Sequence, residues 1–558
     1  PWSSYGNRLK KLMIGNGVTT IGDYAFNECK GFTGNLEIPD SVTTIGAYAF
    51  NGCEGFTGSL TISQGITSIV DRVFSGCKGL TGSLIIPNSV TTIGESAFSS
   101  CSGFTGDLEI PSSVTAIGYQ AFGGCKGFTG NLTISNGVIS IGKYAFEDCK
   151  GFTGVLTISS SVNEIGVGAF AGSSNFYRII VEDTNKYFFT NAGGNMLMEN
   201  SKDGISIIRG LNGKGDLIIP YGVTSIREYA FGSCKEFTGC LVLPNTLTEI
   251  YAYAFSFCNF TGELLLPDSL IYIGQGAFSY CTGLTGALRI PDNVRKIDTE
   301  AFEGCGGFSG ELKISNSCKY IGYEAFSKCR GFTGKLVIPG SIEDIVSGAF
   351  SDCIKIDAIC FMGNAPKMTR KDILLTFPSD KTLYYREGTT GWTTPTWNGY
   401  KTAVWSPDID DIPTENGKYT ICVVDNDTSL PIEGAQVFFD GNTILTNQKG
   451  HATTDGKFSR LEITVPDYES ISYKEYSMRS VGYDIITMSK KAGALHSAVM
   501  KYNGAKFNLL SECKTVNAEL KDTEITITCD ECYSMYEIAY QLIQIKYEYN
   551  DDGTLIYS

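Results

Sequence analysis

Two histidines, His451 and His496, are all that 558 residues contain, so chemistry that needs an imidazole has almost no material here. A His-rich metal site is excluded, and a Ser-His-Asp triad would have to be built in the Gly-containing stretches around those two positions. Basic side chains are also in short supply: 44 Lys and Arg face 59 Asp and Glu, for a net charge of -15. Nucleic acid, whose binding needs clustered cations to displace counterions, is therefore excluded as a partner. No run approaches 18 consecutive apolar residues, so nothing in this chain reads as a membrane-spanning helix. The phosphate-loop, HExxH and EF-hand patterns are all missing. An initiator Met and a signal-like leader are lacking as well, and the chain reads as a mature or trimmed one.

What is present is glycine (65), cysteine (19) and enough hydrophobic (42%) and aromatic (12%) residues to build a packed core, which excludes wholesale disorder. The aromatic residues are not scattered. A Phe, nearly always in an Ala-Phe pair, stands at 26, 50, 74, 98, 122, 146 and 170, and again at 231, 255, 278, 302, 326 and 350. The period is 24 residues with one 23-residue step and one 61-residue interruption. Five residues before each Phe comes Ile, and fourteen before comes Leu, in every unit. Twelve before is Ile or Leu, and eight before is Val, Ile or Leu except for Cys318.

These spacings have a physical reading. Leu36 and Ile38, two apart, point to one side of a strand while Glu37 points to the other. Pro39 has no N–H and ends the ladder. Ala49-Phe50, with Cys53 three residues on, reads as one helical turn, and Gly55 and Gly58 close the coil. A single unit buries six or seven apolar side chains at roughly 1.5–3 kcal/mol each, less than the roughly 1–2 kcal/mol per residue needed to order its backbone. The coils must therefore stack, at about the 4.8 Å spacing of parallel strands, into a solenoid with continuous columns of Leu, Ile and Phe.

The pattern Leu-x-Ile-Pro-x-Ser-Val-Thr-x-Ile-Gly-x-x-Ala-Phe-x-x-Cys, nearly unbroken at 36–53, 84–101 and 108–125, resembles the BspA-type leucine-rich repeat. The resemblance covers about 400 residues and implies a mainly β fold: a leucine-rich-repeat solenoid over 1–352 with short helical turns, and a C-terminal capping unit at 353–405, where Asn364-Ala365-Pro366 and Gly391-Trp392 stand. Pro1–Tyr5 resembles a segment that precedes the first repeat, which suggests a missing N-terminal cap. The interruption, about 171–215, is similar to the longer strand-rich unit of such arrays, so the solenoid is expected to run through it.

Twelve cysteines lie three residues after a repeat Phe, from Cys29 to Cys353, with Ser173 as the exception. A column at roughly 4.8 Å exceeds the Cβ separation of about 3.5–4.5 Å in a disulfide, so these are expected to be buried free thiols. Cys529 and Cys532 have CxxC spacing without a second pair; a local disulfide, two free thiols and a metal site all remain open.

Residues 406–417, acidic and twice broken by Pro, read as a linker. Residues 418–500 alternate in strand fashion, and Pro431–Val437 with Thr446 and Gly450 resembles the prealbumin-like β-sandwich of carboxypeptidase-regulatory and B-type surface modules. Residues 501–558 carry an acidic excess and read as a small separate unit.

Binding is better supported than catalysis. Between the core Leu and Ile the outward residue runs Glu37, Thr61, Ile85, Glu109, Thr133 and Thr157 in the first block, then Ile218, Val242, Leu265, Arg289, Lys313 and Val337. Nearby turns of the second block hold Tyr229, Tyr251, Tyr253, Tyr272, Tyr280, Tyr320 and Tyr323, and Tyr offers contact area at low entropic cost. Those tyrosines, with Val242, Leu265, Arg289 and Lys313, are the candidate ligand-binding residues; the blander alternative is that the rings cover coil edges. The family resemblance implies an extracellular or cell-surface protein that adheres to host matrix proteins, other cells or glycans, without catalytic residues, metal or cofactor. A pure spacer and a glycan-active enzyme are the rival readings, the latter needing two carboxylates roughly 5–9.5 Å apart.

Overall fold

In a computed structural model of the chain, every residue of the repeat finds the same neighbour one coil on. The structure describes residues 2, 7–368, 382–405, 418–425, 432–448, 450–455, 458, 460–466, 468–473, 483–488, 496–501, 516–521, 524–529, 547–549 and 555–557. Two sets of short parallel strands wind around one core. Leu36 pairs with Leu60, and Leu108 with Leu132 and onward to Leu156, in the first set. The second set aligns Ile69, Ile93, Ile117, Ile141 and Ile165. The inward Leu and Ile are buried along the array while Glu37, Thr61 and Glu109 between them stay exposed, as alternation across a strand requires. The repeat phenylalanines stack face to face, Phe98 on Phe122 at 5.2 Å and Phe302 on Phe326 at 5.4 Å between ring centroids. A second aromatic column, Phe104, Phe128, Phe152 and Phe176, lies six residues further along each coil.

The expected helical turn is not there, and no residue among those described is helical. The segment around each Phe is a run of tight turns instead: Ala49 N–H bonds the Gly46 carbonyl, Asn51 that of Tyr48, and Cys53 that of Phe50. The residues two before and two after the repeat Phe are left-handed in all thirteen coils, from Tyr24 and Glu28 (φ 55° and 59°) to Gly348 and Asp352 (71° and 60°). The alternation turns every second N–H along the solenoid axis. Thus Tyr48, Phe50 and Gly52 donate to Asp71, Val73 and Ser75 of the next coil at 3.1, 2.9 and 2.7 Å. An α-helix would spend those donors inside its own coil; the stacked corner spends them between coils.

The interruption carries the winding through. Arg178–Val181 extends the first strand set by pairing in parallel with Val155–Ile158. Phe188–Thr190, Met196–Ser201 and Gly204–Gly210 then form an antiparallel meander whose last strand pairs in parallel with Val223–Ile226, opening the second block. Phe188, Leu197 and Leu211 pack into the first block's core, and Met196, Met198 and Ile207 into the second's. After the last repeat, Ile356–Phe361, Thr382–Arg386 and Tyr400–Trp405 continue the first strand set in parallel, and Phe361, Tyr385, Trp392 and Trp397 cluster there.

Further on, Lys418–Asp425 lies between His451–Asp455 and Tyr483–Met488, while Gln436–Phe439 lies between Asn442–Leu445 and Leu461–Thr464. The two sheets share one core that includes Ile421, Val437, Phe439, Leu461 and Ile463. His496–Lys501 pairs with Glu524–Cys529, so the boundary expected at 500/501 falls inside a strand. Cys532 and the linker at 406–417 lie outside the described residues.

Candidate interaction surface

The surface of the second block has three rows. On the outward row of the first strand set, Ile218 is 43% and Val337 39% exposed, with Val242, Leu265 and Lys313 half-buried between them. Arg289 breaks this row. Its side chain is only 6% exposed, folded against Asp268 at 2.7 Å and Asp292 at 3.6 Å, so it faces its own neighbours rather than solvent. In the first block the same row carries Glu37, Thr61 and Glu109, with Ile85 at 72% exposure among them and Ile180 at 41% where the row enters the interruption.

The corner row is built by the left-handed positions, whose side chains run along the axis. A Cβ on Gly168 would lie 2.5 Å from Tyr144 Cε1, and one on Gly276 2.4 Å from Tyr253 Cε1, because each ring lies across the glycine of the next coil. Tyr144 thereby reaches Tyr229, with centroids 6.0 Å apart, and Tyr229 stacks on Tyr253 at 5.2 Å. Tyr253 Oη accepts from Gln275 Nε2 at 2.7 Å and donates to Glu300 two coils away at 3.5 Å. On the other side of the Phe, Phe257 stacks on Tyr280 at 4.9 Å. Tyr280 Oη donates to Glu303 at 2.8 Å and accepts from Lys328 Nζ at 3.1 Å, and Lys328 closes the triangle on Glu303 at 2.6 Å. Burial, then the Tyr144 hydroxyl, pushes the Tyr229 phenol well up; burial and Glu300 do the same for Tyr253. The Glu303 carboxylate and Tyr280 hold the Lys328 ammonium above its usual range.

The third row lies on the second strand set. Tyr251 meets Tyr272 edge-on at 5.7 Å, Tyr251 Oη donates to Glu249 at 2.7 Å, and Tyr272 Oη to Asp298 at 3.3 Å. Lys296 Nζ sits 5.4 Å over the Tyr320 ring. Tyr323 is exposed at 42%, and a hydrogen bond to Glu324 raises its phenol. The structure thus divides the seven tyrosines. Tyr229, Tyr253 and Tyr280 are committed to the ladder; Tyr251 and Tyr272 are half-buried and paired; Tyr320 is half-buried under Lys296, and Tyr323 faces solvent.

The thiol column is sealed. The Cys53, Cys77, Cys101 and Cys125 thiols donate to the carbonyls of Phe26, Phe50, Phe74 and Phe98 at 3.0–3.1 Å, each one coil back. Ser173 makes the same bond to Phe146 at 2.7 Å, so the one exception in the column keeps its donor. Burial pushes these thiols up, to about 12 for Cys53 and Cys125. From Cys29 to Cys353 the cysteines are free thiols, and among these Cys240 alone is exposed. No group of three or more metal-ligating side chains is found among the described residues, and no helix there is long and apolar enough to cross a membrane.

A leucine-rich repeat architecture with a row of buried thiols defines the class of protein. The BspA type leucine rich repeat region model, in six copies, matches residues 4–129, 105–200, 215–331 and 285–371, and the chain belongs to that family. Solved structures to which it is similar include a leucine-rich repeat protein from Bacteroides ovatus (21% identity, 70% of this chain and 88% of that one, TM-score 0.38). Others are a leucine rich cell surface protein from Faecalibacterium prausnitzii (23%, 63% and 80%, TM-score 0.40) and the pneumococcal vaccine antigen PcpA (18%, 71% and 88%, TM-score 0.44). No curated protein matches the chain.

Proposed function

We propose that this is a non-enzymatic binding protein of the cell surface or the extracellular space, which adheres to host matrix proteins, neighbouring cells or glycans through the second block of its solenoid. The observation that carries this reading is the change along the outward row, from Glu37, Thr61 and Glu109 to Ile218, Val242, Leu265 and Val337. A row of exposed and half-buried apolar side chains on a rigid array supplies the desolvating centre that an interface requires, and the stacked tyrosines beside it hold that surface in place. Tyr323 and the half-buried Tyr320 extend the contact on the neighbouring strand set; Arg289 contributes through the fixed shape of its acid-bound side chain. Residues 418–500, read as a prealbumin-like sandwich, serve as a spacer or a second adhesive module.

The test is retention of the full chain on a panel of immobilised matrix proteins and glycans. Replacing Ile218 and Val337 by Ser is expected to weaken any retained interaction about tenfold, or about 1.4 kcal/mol, while Ile85→Ser leaves it unchanged. No retention across the panel would refute adhesion. The engagement of Tyr229, Tyr253 and Tyr280 within the ladder favours a second reading, a spacer whose rings serve its own stiffness, which that negative result would leave standing.

A further inference from the structure

The two blocks do not share one hydrophobic core. Two separate clusters meet at the interruption, and the group between them is a charge: Arg209, 1% exposed. Its place in the coil follows from the hydrogen bonds. Gly210 N–H donates to the Ala230 carbonyl at 2.8 Å, as Phe98 and Phe231 donate to Ala121 and Ala254, the residues before the Phe of the next coil, so Gly210 holds the Phe position and Arg209 the Ala position. A side chain on Gly210 would have to displace the buried Phe231 ring, since its Cβ would lie 1.9 Å from Phe231 Cε1.

The guanidinium is half satisfied. Nη1 donates to the carbonyls of Tyr229 at 2.8 Å and Ala230 at 3.3 Å, while Nε and Nη2 are buried without a partner. No carboxylate among the described residues pairs with it; the ionisable groups that act on it are the thiols of Cys234 and Cys258. A guanidinium does not give up its proton in a protein, so the charge stays and needs a counter-charge.

The other groups at this joint are mostly donors. Ser174, 5% exposed, accepts from Asn212 Nδ2 at 2.9 Å and stands close to the Cys234 thiol. The Cys234 thiol reaches its expected acceptor, the Gly210 carbonyl, only at 3.7 Å, where other column thiols stand at 3.0–3.2 Å. The one orphaned acceptor is Asn212 Oδ1, whose Nδ2 is already shared between Ser174 and Asn175.

We propose that the joint between the two blocks is a buried site for one small monovalent anion of the halide class, held by Arg209 Nε and Nη2 with the Cys234 thiol and the Ser174 hydroxyl beside it. One negative charge cancels one guanidinium, which a water molecule does not do. The anion closes the polar gap between the two cores, and the second block then docks on the first through a neutral joint.

Crystals of the full chain grown in sodium bromide, measured at the bromine absorption edge, test this directly. The expected result is an anomalous peak within hydrogen-bond distance of Arg209 Nε and Nη2. A site that holds only water, or peaks confined to surface cations, would overturn the proposal. In solution the melting temperature is expected to rise with bromide concentration at constant ionic strength set by gluconate, and Arg209→Leu to lose that rise. A wild-type chain indifferent to bromide would also overturn it, whether or not the variant folds.

Discussion

At the scale of single residues, the thiol column shows how a small side chain does two jobs. From Cys53 to Cys149, and again at Cys258, Cys281, Cys305, Cys329 and Cys353, the column Cys fills its place in the core and donates to the Phe carbonyl of the preceding coil. Ser173 shows that a hydroxyl supplies the same donor. Cys101→Ser is therefore expected to cost less than Cys101→Ala, which removes the donor and opens a void; the gap should be about 1 kcal/mol in urea unfolding, and equal costs would refute the role of the bond. Burial also fixes a pH response. The folded thiols of Cys53, Cys125, Cys281 and Cys353 are pushed up to about 12 from 9.0. Below pH 9 both folded and unfolded chains keep these protons and stability is unaffected by them. Above it the unfolded chain loses protons that the folded chain retains, so stability falls, by up to about 1.4 kcal/mol per pH unit per thiol. Urea titrations between pH 8 and 11 should show a steep decline that becomes shallower in a Cys77→Ser, Cys101→Ser double variant.

At the scale of the element, the corner is where sequence and structure part. The Leu, Ile and Phe columns, the buried thiols and the place of the interruption were legible because hydrophobic spacing reports directly on burial. The turn was not, because the left-handed positions are filled by Tyr24, Glu28, Arg72, Gln120 and Lys328, residues that carry no mark of that conformation. A weak signal existed in Gly52, Gly76, Gly124, Gly172 and Gly304, all two residues after the Phe, which a helix would not select. Alternation alone points Arg289 outward; its burial depends on Asp268 one coil back, a contact that only the stacking register creates. The second aromatic column stands in the recurring Gly-Phe-Thr-Gly, where a Phe between turn residues carries no strand or helix period to mark it as core. The corner geometry makes its own prediction. Gly276→Ala would push the Tyr253 ring off its seat and strain a left-handed residue, at an expected cost of about 1–3 kcal/mol, whereas Gln120→Gly, which relieves such strain, should be neutral or stabilising in thermal unfolding.

At the scale of the whole molecule, the array is a sealed interior with a patterned exterior. Mass-spectrometric mapping after native alkylation should label Cys240 and leave the other cysteines of residues 1–360 unmodified until denaturant is added. Labelling of the column under native conditions would mean that coils open one at a time.

The corner donors that run from coil to coil, Tyr48 to Asp71 and Phe50 to Val73 among them, lie along the direction in which the solenoid extends. A pull on the two ends of the array therefore loads one coil boundary after another. Each boundary that fails frees a 24-residue coil, about 80 Å of chain at roughly 3.3–3.6 Å per residue, in exchange for a spacing of about 4.8 Å. Under shear the protein would lengthen in equal steps, shedding load without losing the coils that remain folded.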